Sequence, residues 1–94
     1  MAAGISRKSM LARGRARLQK LSLAVGGVIL RADRKTGLPY RVVVRGLMFQ
    51  VRPIHASNGE SYGALIAYPA EGGIMVARKE LGVSDVEFAN TLIG

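Results

Sequence analysis

Cysteine is absent from this 94-residue chain, which excludes disulfides and thiolate metal sites and leaves the redox compartment open. Histidine occurs once, at His55, so Cys–His nucleophilic pairs are excluded, and no second histidine or paired carboxylate stands at metal-ligand spacing around it. A Ser-His-acid triad would have to crowd Ser57 or Ser61, His55 and Glu60 onto one loop, where nothing fixes their orientation. Gly26-Gly27 and Gly72-Gly73 lack the Lys-Ser/Thr of a phosphate loop and the three glycines of a dinucleotide fingerprint, and read as turns. The sequence therefore predicts no enzyme: no catalytic residue, no metal and no cofactor.

Aromatic residues number only five, so the core has to be built from Leu, Ile, Val and Met. Long apolar runs are missing as well. The longest uncharged one, residues 21–30, is half of the ~20 residues a bilayer-spanning helix needs, so the chain is expected to be soluble and to make no membrane contact. Acid is scarce in the first half. Residues 1–52 hold twelve Lys/Arg against Asp33 alone, a net +11, whereas residues 53–94 hold two against five acids, a net −3. Such a split suits nucleic acid, an anionic surface, or contact between copies of one subunit, basic side onto acidic side.

What is present is concentrated in residues 6–25, SRKSMLARGRARLQKLSLAV. This stretch carries Arg7, Lys8, Arg13, Arg15, Arg17 and Lys20 and no acid. Leu11, Leu18, Leu21 and Val25 recur at spacings of seven, three and four, a helical apolar stripe. The pattern predicts an amphipathic helix from Ser6 or Ser9 to Ala24, with one of those serines as N-cap and Gly26-Gly27 as the stop. Gly14 in its middle costs about 1 kcal/mol relative to Ala, and basic residues in the first turn oppose the helix dipole. The helix is thus expected to be ordered by docking: the leucine stripe packs on a partner, and the basic residues meet phosphates or an acidic protein. The division expected is a basic helical arm over residues 1–25 and a small β-rich domain over 26–94.

Beyond the arm, Val28-Ile29-Leu30 suits a short strand, and residues 32–39 have the Asp, Gly and Pro content of a loop. YRVVVR and LMFQVR flank Arg45-Gly46 as a hairpin, with Tyr40, Val42 and Val44 on one face and Arg41, Val43 and Arg45 on the other. Residues 53–63, PIHASNGESYG, read as one long, functional or mobile loop, with His55, Asn58 and Tyr62 as its contact residues. Residues 64–68 and 74–77 form a second hairpin across a turn at 69–73. Ser84-Asp85-Val86-Glu87 has a capping-box pattern for a short helix, although Thr91-Leu92-Ile93 also suits a strand. Tyr40, Phe49, Tyr62 and Tyr68 suit base stacking or, more simply, the core. The sum is an α+β domain: an N-terminal helix, a small antiparallel sheet or barrel of four to five strands, and a possible C-terminal helix.

Taken whole, the chain resembles the small head-tail connector proteins of tailed bacteriophages, the adaptor, stopper and tail-attachment subunits beneath the portal. The likeness is carried by the N-terminal helical segment, the strand and Arg-bearing loop over residues 28–37, strand pairs around a long loop, and IMVARKELG at 74–82, similar to the family's apolar strand, Arg, acid, Leu, Gly segment. The family's further Gly-Asp turn and two strands have no counterpart in residues 88–94, which puts closure of a barrel within one subunit in doubt. The resemblance implies a structural virion protein of the neck, assembled in the host cytoplasm as a ring of copies around the DNA channel. Its partners would be the portal and tail or neck proteins, with non-specific DNA contact. The other reading of the basic arm is a small nucleic-acid-binding module, ribosome-associated or DNA-binding.

Overall fold

The computed structural model describes residues 7–94 apart from Ala56 and Glu60. Helix α1 (Arg7–Val25) is followed by strands β1 (Val28–Ala32), β2 (Pro39–Val44), β3 (Leu47–His55), β4 (Ser61–Pro69) and β5 (Ala77–Arg78), and by helix α2 (Asp85–Ile93). The five strands lie in chain order and each is antiparallel to its neighbour, a meander with β1 and β5 as separate edges. Of the two forms expected, the chain adopts the open sheet, and the α+β class stands.

Both helices cover one face. Register puts Val42, Phe49 and Ala67 in one cross-strand row, and these join Val44 and Leu65 beneath Leu18 and Leu21 of α1 and Phe88 and Ala89 of α2. Phe88 meets Phe49 edge-on, with ring centroids 6.2 Å apart and planes at 83°. Each fully buried Leu or Phe of this set contributes about 1.5–3 kcal/mol. The helix read as an arm is therefore one wall of the core.

Gly14, a defect by helix propensity, has a packing role. A Cβ there would lie 2.9 Å from Val51 Cγ1, and one on Gly63 would lie 2.8 Å from the same atom. The two glycines form the notch that lets α1 rest directly on β3 and β4. Gly26 takes φ 74° and the Gly27 N–H donates to the Ser22 carbonyl at 2.9 Å, the closing bond of a Schellman cap. Ser6, one of the two N-cap candidates, lies outside the described residues. Ser9 falls inside the helix.

The hairpin at Arg45-Gly46 forms as the alternation predicted, with Val44 opposite Leu47. The expected long loop over residues 53–63 is corrected: β3 and β4 stay paired from Leu47 opposite Pro69 to His55 opposite Ser61, so the connection shrinks to residues 56–60. Pro and Gly suggested a loop, but β2 parts from β3 beyond Val42 and Phe49, leaving β3 an edge at Pro53. A proline tolerates such an edge because its missing N–H would face away from the ladder.

The strand expected over 74–77 is also corrected. Only Ala77 and Arg78 pair with β4, after the Val76 N–H has met the Ala67 carbonyl at 2.8 Å. The chain leaves the 69–73 turn through Gly72 and Gly73 with φ 104° and 123°, and Ile74 and Met75 remain exposed. The terminal segment is a helix. Ser84 is its N-cap, its hydroxyl accepting from the Glu87 N–H at 3.1 Å, and Gly94 ends it by donating to the Asn90 carbonyl.

Candidate functional site

The residues that the sequence singled out divide into two groups. Leu18 and Leu21 are fully buried in the chain's own core and Val25 packs beside them, while Leu11 is half-buried. The stripe expected to meet a partner thus covers the sheet of the same molecule, packing with Val42, Val44, Phe49 and Leu65. Arg17 turns inward too. Its Nε and Nη2 donate to Asp85 Oδ2 and Oδ1 at 3.0 and 2.8 Å, and Nη1 donates to the Gly63 carbonyl at 2.8 Å. Lys79 joins the same end of α2, donating to the Val83 carbonyl with its Nζ 4.0 Å from Asp85.

Arg15 stacks on Tyr40, 4.3 Å from guanidinium carbon to ring centroid, and lies 3.7 Å from Asp33. Its Nε is buried with no hydrogen-bond partner among the described residues. The Thr36 hydroxyl, donating at 2.9 Å, is the first cause that holds the Asp33 carboxyl below the usual range, with backbone N–H groups of Lys35 and Thr36 and the Arg15 charge adding to it against a desolvation cost. Arg13 and Lys20 are solvent-exposed with no ion pair among the described residues, and the side chains of Arg7 and Lys8 lie outside the described set. His55 and Asn58 sit at the exposed tip of the β3–β4 ribbon. Tyr62 is half-buried beside a cleft that includes Met10, Arg17 and Leu81.

The sheet face turned away from the helices holds what the sequence did not gather. Register places Arg31 opposite Arg41, Gln50 opposite Ile66, and Ile66 opposite Arg78. Beside this row, Arg52 stands opposite Ala64 and its guanidinium lies over the Tyr68 ring, 5.3 Å from the centroid. Ala64 and Ile66, between these arginines, are only 3% and 4% exposed.

Two open clefts score this face. One, of about 330 Å³, lies where β2 and β3 part and is lined by Arg31, Tyr40, Arg41, Gln50 and Val51. The other, of about 340 Å³, runs past Arg41, Gln50, Arg52 and Tyr68 to the 69–73 turn, where Glu71 stands at the rim. No carboxylate comes within ion-pair distance of these four arginines among the described residues. The face can therefore take up anionic oxygens through several guanidinium forks at once. Among the described residues no cluster of three His, Cys, Asp or Glu side chains could hold a metal ion, and no helix is long and apolar enough to cross a membrane.

A signal for these arginines was present: in YRVVVR and LMFQVR they occupy the parity opposite to the core residues. Their convergence also needs the bulge between Ile29 and Arg31, which brings Arg31 opposite Arg41. Comparisons with protein-family models, with curated proteins and with solved structures find no match.

Proposed function

We propose that the protein is a structural subunit that works as a closed ring of copies, of the kind that head-tail connectors form between portal and tail in the virion neck. The observation that carries this reading is the placement of exposed apolar residues at the two opposite edges of the open sheet. Val28, Ile29 and Leu30 line the free edge of β1, with Val28 69% exposed; Ile74, Met75, Val76 and Leu81 lie at the β5 edge, with Ile74 and Leu81 89% and 84% exposed. Unpaired edges of this kind invite another chain, and large exposed apolar side chains mark a contact surface. Two different edges that fit one another make a head-to-tail contact, which closes into a ring when the rotation allows.

Charge differs between the edges: Arg31, Arg34 and Lys35 outnumber Asp33 beside β1, whereas Glu71 and Glu80 offset Arg78 and Lys79 around β5. The proposed partners are further copies of the chain, the portal, and tail or neck proteins. Native mass spectrometry and negative-stain microscopy of the purified chain test the ring. A single closed oligomer that dissociates when Ile29→Glu and Ile74→Glu are combined is expected, and a monomer at every concentration up to the solubility limit overturns the reading. In purified tailed-phage particles, labelled antibody against the chain should decorate the neck and no other site.

A further inference from the structure

We infer that the outer face of the sheet binds the sugar-phosphate backbone of a nucleic acid, without reading its sequence, through Arg31, Arg41, Arg52 and Arg78. The ring proposal rests on the edges of the sheet and this one on its face, so either can fail alone.

The argument begins with uneven neutralisation. The two helix arginines nearest the sheet, Arg15 and Arg17, have carboxylates of their own, whereas the four on the outer face have none among the described residues. Arg31 and Arg41 are direct cross-strand partners, and like charges placed so destabilise a sheet. An anion lying between them removes that repulsion. Two further features suit a nucleic acid strand over other polyanions. The charges form a band across the sheet, from β1 to β5, roughly 19 Å at ~4.8 Å per strand, with neutral Gln50 and Ile66 between the arginines. Arginine forks also match phosphate oxygens in pairs, and Arg52 is pre-set by stacking on Tyr68. An acidic peptide docking here would want apolar pockets, and a membrane would want exposed apolar anchors. Of the large exposed apolar side chains, most lie at the sheet edges and Leu23 and Val86 on the helices.

Fluorescence anisotropy with the full chain, using a labelled oligonucleotide as single strand and as duplex, tests this. Four phosphate contacts predict a log–log salt slope near about −3.6 on duplex and about −2.8 on single strand, hence roughly a 100-fold affinity loss on duplex between 50 and 200 mM salt. The variant Arg41→Gln/Arg52→Gln/Arg78→Gln should bind at least about tenfold more weakly at the lower salt and lose about three contacts' worth of slope. Arg41→Lys keeps most of the binding, and Arg13→Gln/Lys20→Gln, on the helix, stays within about twofold of the parent chain. Melting curves and oligomer size, unchanged in the triple variant, separate lost contacts from lost fold or lost rings. Salt-insensitive or absent binding overturns the inference, as does an unaffected triple variant or an equal loss in the helix variant. Preference for vesicles of equimolar phosphatidylserine and phosphatidylcholine over the oligonucleotide also overturns it.

Discussion

Arg17 grips Asp85 across 68 positions of sequence, two parallel hydrogen bonds joining the middle of α1 to the first turn of α2. The third nitrogen of the same guanidinium, Nη1, donates to the Gly63 carbonyl on β4, so a single side chain fastens three elements. Asp85 also faces the positive end of the α2 dipole, which strengthens its hold on the helix start. Part of the charge asymmetry of the sequence is thus closed within the molecule.

Replacing Arg17 with Gln is expected to lower stability by about 1–3 kcal/mol, because it strips a part-buried carboxylate and a backbone carbonyl of charged partners. The melting midpoint should drop by roughly 4–8 °C per kcal/mol. In a cycle with Asp85→Asn the double variant should lose less than the two singles together; strictly additive losses would mean the pair has no coupling.

Gly14→Ala should destabilise, against the gain of about 1 kcal/mol that helix propensity alone predicts. The new methyl would stand 2.9 Å from Val51 Cγ1 and 3.0 Å from its Cβ, a clash with a stiff β-branched side chain that costs about 1–3 kcal/mol. Denaturant unfolding checks the sign. In a Val51→Ala background the penalty should shrink or reverse, and a penalty of unchanged size there would locate the problem elsewhere.

Arg45 and Gly46 both have positive φ, 47° and 78°, as a two-residue hairpin turn that follows the sheet twist requires. Arg45 gains nothing from this position, where Asn is much better tolerated. Arg45→Asn should therefore raise stability by about 0.5–1 kcal/mol, seen as a higher denaturation midpoint with the same slope. Arg45→Val should lower it, since a β-branched residue is strained at positive φ.

The Asp33 carboxyl titrates below the usual range, first because the Thr36 hydroxyl donates to it. A carboxyl whose folded value lies below its unfolded one favours the folded state when ionised. Its contribution is present at neutral pH and is lost as pH falls through the folded value. Thr36→Val should move the Asp33 midpoint upward in an NMR titration, and Asp33→Asn should flatten the acid limb of the stability profile. An unmoved midpoint in the Thr36 variant would assign the shift to other groups.

Features set by neighbours in sequence were legible before the structure. The apolar spacing gave α1, Gly26-Gly27 its stop and Arg45-Gly46 a hairpin, while Ser84 offered a helix cap but left residues 84–94 open between helix and strand. Features set by register were not. Pro53 and Gly63 carry loop chemistry, yet they face each other in a ladder, because β3 is free on its other side at that point. Ile74, Met75 and Val76 have strand composition, but no layer covers them and the ladder reaches only the next two residues. For the candidate site, the six basic residues of the first helix drew attention by crowding, whereas the outer-face arginines are spread over four strands and meet only after the meander forms. Arg15 and Arg17 showed the converse: their acidic partners, Asp33 and Asp85, lie 18 and 68 residues away and no local pattern announces them.

A strand order that repeats the chain order also governs how quickly the molecule acquires its shape. Each rung of the sheet closes only a short loop, so its entropy cost is small and the contact order of the sheet is low. The most distant closure is α2 returning to the rest of the fold, where Asp85 meets Arg17 of α1 and Phe88 packs on Phe49 of β3, and it is expected to follow the strands. In chevron measurements, changes at the Arg45-Gly46 turn should therefore act mainly on the folding limb and Phe88→Leu mainly on the unfolding limb. The reverse pattern would place the docking of the two helices ahead of the sheet.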